Sequence, residues 1–149
     1  MDVKKLSRGE QLVGLFGLLL FVDSLLPWFQ VCIDLINRCA GDNGWGTFLS
    51  LLGVLVALLM VVQIVLARLA NVAMPRLGSL TWGQVHLIGG AAAFVLVLLQ
   101  LVVGDQGVPR TVWLYLGVLL AAGVAYGGWH RSQEPEVTAT TPGPTPPRV

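Results

Sequence analysis

Apolar residues in this chain fall into four long runs, at about 11–29, 47–67, 85–103 and 111–129, built mainly of Leu, Val, Ala and Gly. Polar residues do not alternate through the runs, which argues against barrel strands and for helices that are apolar all round. Crossing about 30 Å of hydrocarbon takes roughly 20 helical residues, and each run approaches that length. Lipid offers no partners for open backbone groups, so all four are expected to be helical. The pattern predicts an all-α fold, a four-helix transmembrane bundle.

The breaks between runs are turn-like. Pro27 and Trp28 close the first run, GDNGWG precedes the second, RLANVAMPRLGSLTWGQ separates the second from the third, and GDQGVPR separates the third from the fourth. Ser79 or Thr81 is the expected N-cap of the third helix and Thr111 that of the fourth. After His130 the chain changes to RSQEPEVTATTPGPTPPRV, rich in Pro and Thr and without large apolar residues other than Val. Such a segment buries too little surface to fold alone. The expected layout is a membrane domain over 1–130 and a disordered tail over 131–149, whose proline-rich end also suits an aromatic-lined groove.

Composition agrees with this layout. Of 149 residues, 55% are hydrophobic and 11% charged, against about 25% charged in soluble domains. The formal net charge of +1 gives no basic field for nucleic acid. MDVKKLSRGE before an apolar run has the form of a signal peptide, but no small-x-small cleavage site follows, so the segment is expected to be retained. Lys4, Lys5, Arg8, Arg68, Arg76, Arg131 and Arg148 fall on the side of the termini, and only Arg38 and Arg110 fall opposite. That asymmetry predicts a multi-pass plasma-membrane protein with both termini cytoplasmic. Trp28, Trp45 and Trp113 towards one boundary, with Trp82 and Trp129 towards the other, form the expected aromatic belt.

Candidate chemistry is sparse. Cys32 and Cys39 lie in the predicted outer loop, where an oxidising compartment permits a disulfide; two free thiols are the alternative. Neither FQVC nor INRC makes a lipoprotein box. His86 and His130 fall at the opposite ends of their helices from the cysteines, so no metal site combines them, and no cofactor is expected. Asp23 falls in the outer half of the first predicted span, where an aspartate costs roughly 2.5–3.5 kcal/mol on insertion scales. It is expected to face the bundle against the third helix, in a polar cluster with Ser24, Ser50 and Gln100, or else to couple protons. Glu10 and Gln63 read as boundary residues. Gly89 and Ala93, and Gly117, Ala121, Gly123 and Gly127, are small residues spaced for close helix packing, as are Gly14 and Gly17; Gly123 and Gly127 also suit dimerisation.

The opening KKLSRGEQLVGLFGLLLFVDSLLPWF resembles that of small actinobacterial membrane proteins whose first span begins with an LSRGE-like element and ends in Leu-Pro-Trp-aromatic, here Leu6–Glu10 and Leu26–Phe29. The resemblance implies a plasma membrane and transfers no functional residue. Four short helices with an acid in the first are also similar to small multidrug transporters. Inner termini with a cysteine pair in the first outer loop are similar to claudin-like proteins. The expected role is a non-enzymatic structural or accessory subunit, with the bilayer and a membrane-protein partner or second copy as contacts; a small proton-coupled transporter using Asp23 is the alternative.

Overall fold

The computed structural model describes residues 6–68, 70, 78–105 and 107–135. It contains four helices, α1 (Arg8–Asp23), α2 (Phe48–Arg68), α3 (Trp82–Val103) and α4 (Val112–Gln133), with a two-stranded antiparallel sheet, β1 (Pro27–Ile33) and β2 (Arg38–Asn43), between α1 and α2. Of the helices, α2, α3 and α4 are long and apolar enough to cross a membrane. Lys4, Lys5, Arg76, Arg148 and the tail from 136 onwards lie outside the described residues.

Two features correct the all-α expectation. The first helix stops at Asp23, well short of Phe29, and the stretch read as the rest of the first span plus a loop folds into the hairpin β1–β2. Pro27 explains the stop. Its ring would clash with the carbonyl four residues back, that of Asp23, and it disfavours helical geometry at Leu26. The freed Asp23 carbonyl accepts instead from Leu26 N at 3.0 Å and Trp28 Nε1 at 3.1 Å. At 16 residues α1 is about 24 Å long, shorter than the hydrocarbon thickness.

Helix α1 begins with a capping box: Glu10 N donates to Ser7 Oγ at 3.3 Å and Ser7 N donates to Glu10 Oε2 at 3.0 Å. Thr81 and Gln84 make the same reciprocal pair at the start of α3. Thr111 is the N-cap residue of α4 but makes no side-chain cap; its hydroxyl donates to the Pro27 carbonyl. The last carbonyls of α3 are taken by Arg110, which donates from Nε to Leu101 at 2.7 Å and from Nη2 to Val102 at 3.1 Å.

In the hairpin, Cys32 and Cys39 are directly opposed and joined by a disulfide. Asn37, in the left-handed region at φ 49°, closes the turn. A bulge at Trp28 separates the pairs Pro27–Asn43 and Phe29–Asp42. Bulges re-aim side chains, and Trp28 is fully buried in the bundle. The other edge of β1 meets the α3–α4 connection: Gln30 N donates to Pro109 O at 3.1 Å and Thr111 N to Trp28 O at 2.9 Å.

Each helix packs on the one before and the one after, and α4 closes back on α1. Val13, Leu20, Val54, Val97, Leu114 and Val124 form the core. Glycines allow the closest approaches. A Cβ at Gly128 would overlap the His86 carbonyl, and one at Gly90 would lie 2.9 Å from the Ala125 Cα, so α3 and α4 meet backbone to backbone. Helix α4 runs on to Gln133, past the His130 boundary expected from composition.

Candidate functional site

Two groups of buried polar side chains occupy the two ends of the bundle. At the hairpin end, Asp23 is 3% exposed, and its Oδ2 accepts from Trp28 Nε1 at 3.1 Å. Its Oδ1 is buried with no hydrogen-bond partner. The carboxylate faces α4: a Cβ added at Gly117 would lie 2.9 Å from Asp23 Oδ2 and 2.7 Å from the Trp28 ring. A groove of about 260 Å³, lined by Leu19, Val22, Asp23, Leu26, Leu116 and Leu120, runs beside it. Asp23 was expected to face the third helix; the contact shown is with α4, where Trp28 packs against Gly117.

The four residues expected to share one polar cluster are all buried at this end, yet each bonds a different neighbour, and Asp23 Oδ1 bonds none. Ser24 Oγ donates to the Phe21 carbonyl at 2.6 Å and accepts from Trp45 Nε1 at 2.9 Å. Ser50 Oγ bonds the Thr47 hydroxyl and carbonyl, a helix-start arrangement. Gln100 Nε2 donates to the Gly104 carbonyl at 2.9 Å, at the end of α3. Trp28 and Trp45, read from the sequence as belt residues, are the donors that serve Asp23 and Ser24. The local order Asp-x-x-x-x-Trp around a proline was the signal available for the first of these.

The opposite end holds a charge cluster. Arg68 at the end of α2 donates to the Glu10 carboxylate from Nε, at 3.1 Å to each oxygen, and from Nη2 at 2.9 Å. Arg131 Nε lies 3.3 Å from Glu10 Oε1, with both side chains under 9% exposed. Glu134 Oε1 accepts from Gly9 N at 3.0 Å and lies 3.4 Å from His130 Nδ1, while its Oε2 lies 3.8 Å from Arg131 Nη1. Burial pushes the Glu134 carboxyl up, but hydrogen bonds from Ser7 and Gly9 and the charges of Arg131 and His130 outweigh it and hold it below its ordinary value. The ends of α1, α2 and α4 are tied together here. Glu10 carries this role beyond the boundary position expected of it; the S-x-x-E pattern of Ser7 and Glu10 signalled its cap but not its arginine partners.

The small residues each meet a definite neighbour. Ala93 and Ala121 are fully buried. Gly89 faces Met60 of α2, Gly117 faces Trp28, Gly123 faces the Phe16 ring, and Gly127 faces Leu12 and Val13 of α1. Gly123 and Gly127 therefore pack against α1 within the chain. Gly17 packs on Val61, whereas Gly14 has nothing within 4 Å. The hairpin tip is the reverse case: Leu35 is 96% exposed and Ile36 59%, with Val31 and Ile33 also exposed. Among the described residues no three of His, Cys, Asp or Glu come together as a metal site. No protein-family model matches this chain, and no curated protein or solved structure matches it.

Proposed function

We propose that the chain is a four-span plasma-membrane protein with cytoplasmic termini that acts without catalysis, as a structural or accessory subunit whose outer hairpin docks a membrane-protein partner. The observation that carries this reading is the tip Ile33–Leu35–Ile36, apolar and exposed on a hairpin that the Cys32–Cys39 bond locks. An exposed apolar cluster on a rigid mount suits a partner surface. The seven Lys and Arg of the sequence on the terminus side, of which Arg8, Arg68 and Arg131 are described, against Arg38 and Arg110 at the hairpin end support the orientation. The use of polar side chains at both ends to tie helices together supports a scaffold role. The test is purification of the tagged chain from native membranes: a stoichiometric partner should accompany the wild type and be lost with Leu35→Ser/Ile36→Ser, while equal recovery with both would overturn the docking role.

One observation favours a second reading, a proton-coupled transporter. The Asp23 Oδ1 is buried, unpartnered and beside a groove between α1 and α4. An amide cannot titrate, so Asp23→Asn should abolish proton-driven flux in proteoliposomes if this reading holds. Flux that survives the substitution, or no flux from the wild type, removes it.

A further inference from the structure

A groove of about 400 Å³ follows the seam between α1 and α4 at the terminus end, lined by Arg8, Gln11, Leu12 and Leu15 of α1 and by Tyr126 and His130 of α4. The α1 positions recur at helical spacing, as do the two of α4, so each set forms one face of its helix. The two faces are held side by side: a Cβ at Gly127 would lie 3.0 Å from Leu12 Cβ, Gly9 N donates to Glu134 Oε1 at 3.0 Å, and the Tyr126 and His130 ring centroids are 6.4 Å apart.

Polarity changes in one direction along the groove. Arg8 starts α1 and His130 lies in the last turn of α4, so the charged and polar members gather at the terminus end. Leu12 and Leu15 lie further in, about 6 and about 10 Å along the axis from Arg8. Leu15 is 56% and Tyr126 53% exposed, so this inner stretch opens on the apolar outer surface of the bundle.

Charge at the polar end is not balanced. Glu10 is taken by Arg68 and Arg131, and Glu134 by Arg131, His130 and the Gly9 amide. Gln11 donates from Nε2 to the Leu6 carbonyl at 3.0 Å. Among the described residues the Arg8 guanidinium has no ion pair and no hydrogen bond, and Arg8 is exposed. A planar guanidinium matches the paired oxygens of a phosphate. A soluble anion would leave the leucines unused, and a neutral lipid would leave the arginine unused. The two together select an amphiphile with an anionic head.

We propose that this groove holds one anionic phospholipid, its phosphate on Arg8 and the upper part of one acyl chain along Leu12 and Leu15. The volume suits that portion of a lipid, and anionic head groups attract basic residues at a membrane surface. A zwitterionic head group carries its own ammonium, which offsets the attraction to Arg8. The site lies at the opposite end of the bundle from the hairpin, and it rests on the membrane reading of the chain.

The test is native mass spectrometry of the full chain in detergent with dioleoylphosphatidylglycerol or dioleoylphosphatidylcholine, which share their chains and differ in head-group charge. One phosphatidylglycerol per chain should bind about tenfold tighter than phosphatidylcholine, the scale of one charge-assisted hydrogen bond, and Arg8→Gln should abolish that preference. Arg38→Gln, which removes an exposed cation at the hairpin end, should leave it intact. Leu15→Ser should weaken both lipids alike. Equal binding of the two lipids, binding of neither, a preference that survives Arg8→Gln, or one that Arg38→Gln also removes would overturn the proposal. So would Leu15→Ser without effect, which marks a site for the phosphate alone. If Arg8→Gln fails to fold, the wild-type ratio and the other two variants still decide. Carbonate washing of native membranes reads the membrane claim separately: a chain retained in the pellet without lipid preference sinks this proposal alone, and a chain released to the supernatant sinks both.

Discussion

Trp28 Nε1 donates to both the backbone carbonyl and the Oδ2 of Asp23, each at 3.1 Å, across the break that Pro27 imposes. This indole shares the freed carbonyl at the end of α1 with Leu26 N and serves one oxygen of the buried acid, while its ring fills the space above Gly117. Retaining an acceptor oxygen at residue 23 is therefore what the fold needs. Asp23→Asn should change bundle stability by less than about 1 kcal/mol. Trp28→Phe, which leaves the buried Oδ2 without its donor and the Asp23 carbonyl with Leu26 N alone, should cost about 1–3 kcal/mol. Unfolding of each variant in the same detergent checks the order.

Glycine substitutions should separate by neighbour and not by position in a motif. Gly128→Ala forces α4 away from the His86 backbone and should cost about 1–3 kcal/mol, since backbone cannot rotate aside as a side chain can. Gly14→Ala meets nothing within 4 Å and should be neutral or stabilising by up to about 1 kcal/mol through helix propensity. Thermal melts of the two variants provide the comparison.

Much of the helical layout was legible because an unbroken apolar run predicts a helix whatever surrounds it. The ends of α2 and α3 fall close to the expected boundaries for that reason. The end of α1 was hidden because Leu26, Trp28 and Phe29 continue the apolar composition through Pro27, and only the proline marked the turn. Cys32 and Cys39 were legible as a pair because they are close in sequence. The Glu10–Arg68–Arg131 cluster was not, since it depends on which helix ends meet. Likewise, the spacing of small residues identified Gly117 and Gly127 as packing positions without showing that α1 and Trp28 are what they pack against, and it passed over Gly90 and Gly128.

At the terminus end, Glu10 holds two arginines, so Glu10→Leu leaves both charges without their shared partner. Breaking a largely buried ion pair from one side should cost about 3 kcal/mol, discounted from a fully buried case because Arg68 is one-third exposed. Arg131→Met with Glu10→Leu should recover part of that loss. A double-mutant cycle reads the coupling.

Acid should loosen the same end. The Glu134 carboxyl is held below its ordinary value of 4.5, so its contribution is fully present above about that pH and is lost as pH falls through the lower folded value. Amide exchange at Gly9, which donates to Glu134, should lose protection in that window relative to Leu20 in the core, and Glu134→Gln should remove the pH dependence.

Reduction of Cys32–Cys39 should release about 2–3 kcal/mol of hairpin constraint without unfolding α2–α4, because the disulfide-bearing strands project from the bundle and Cys32 and Cys39 are both exposed. Exchange at Val31–Ile36 should quicken while Val54 and Val97 stay protected.

The central claim is that the exposed hairpin tip is a docking surface for a protein, and site-specific photocrosslinking from Leu35 in native membranes tests it most directly. A photoreactive residue at Leu35 should give one discrete, stoichiometric protein adduct that disappears with Cys32→Ser/Cys39→Ser, while the same residue at the exposed Leu59 of α2 gives none. No protein adduct at Leu35, or an adduct indifferent to loss of the disulfide, would contradict it.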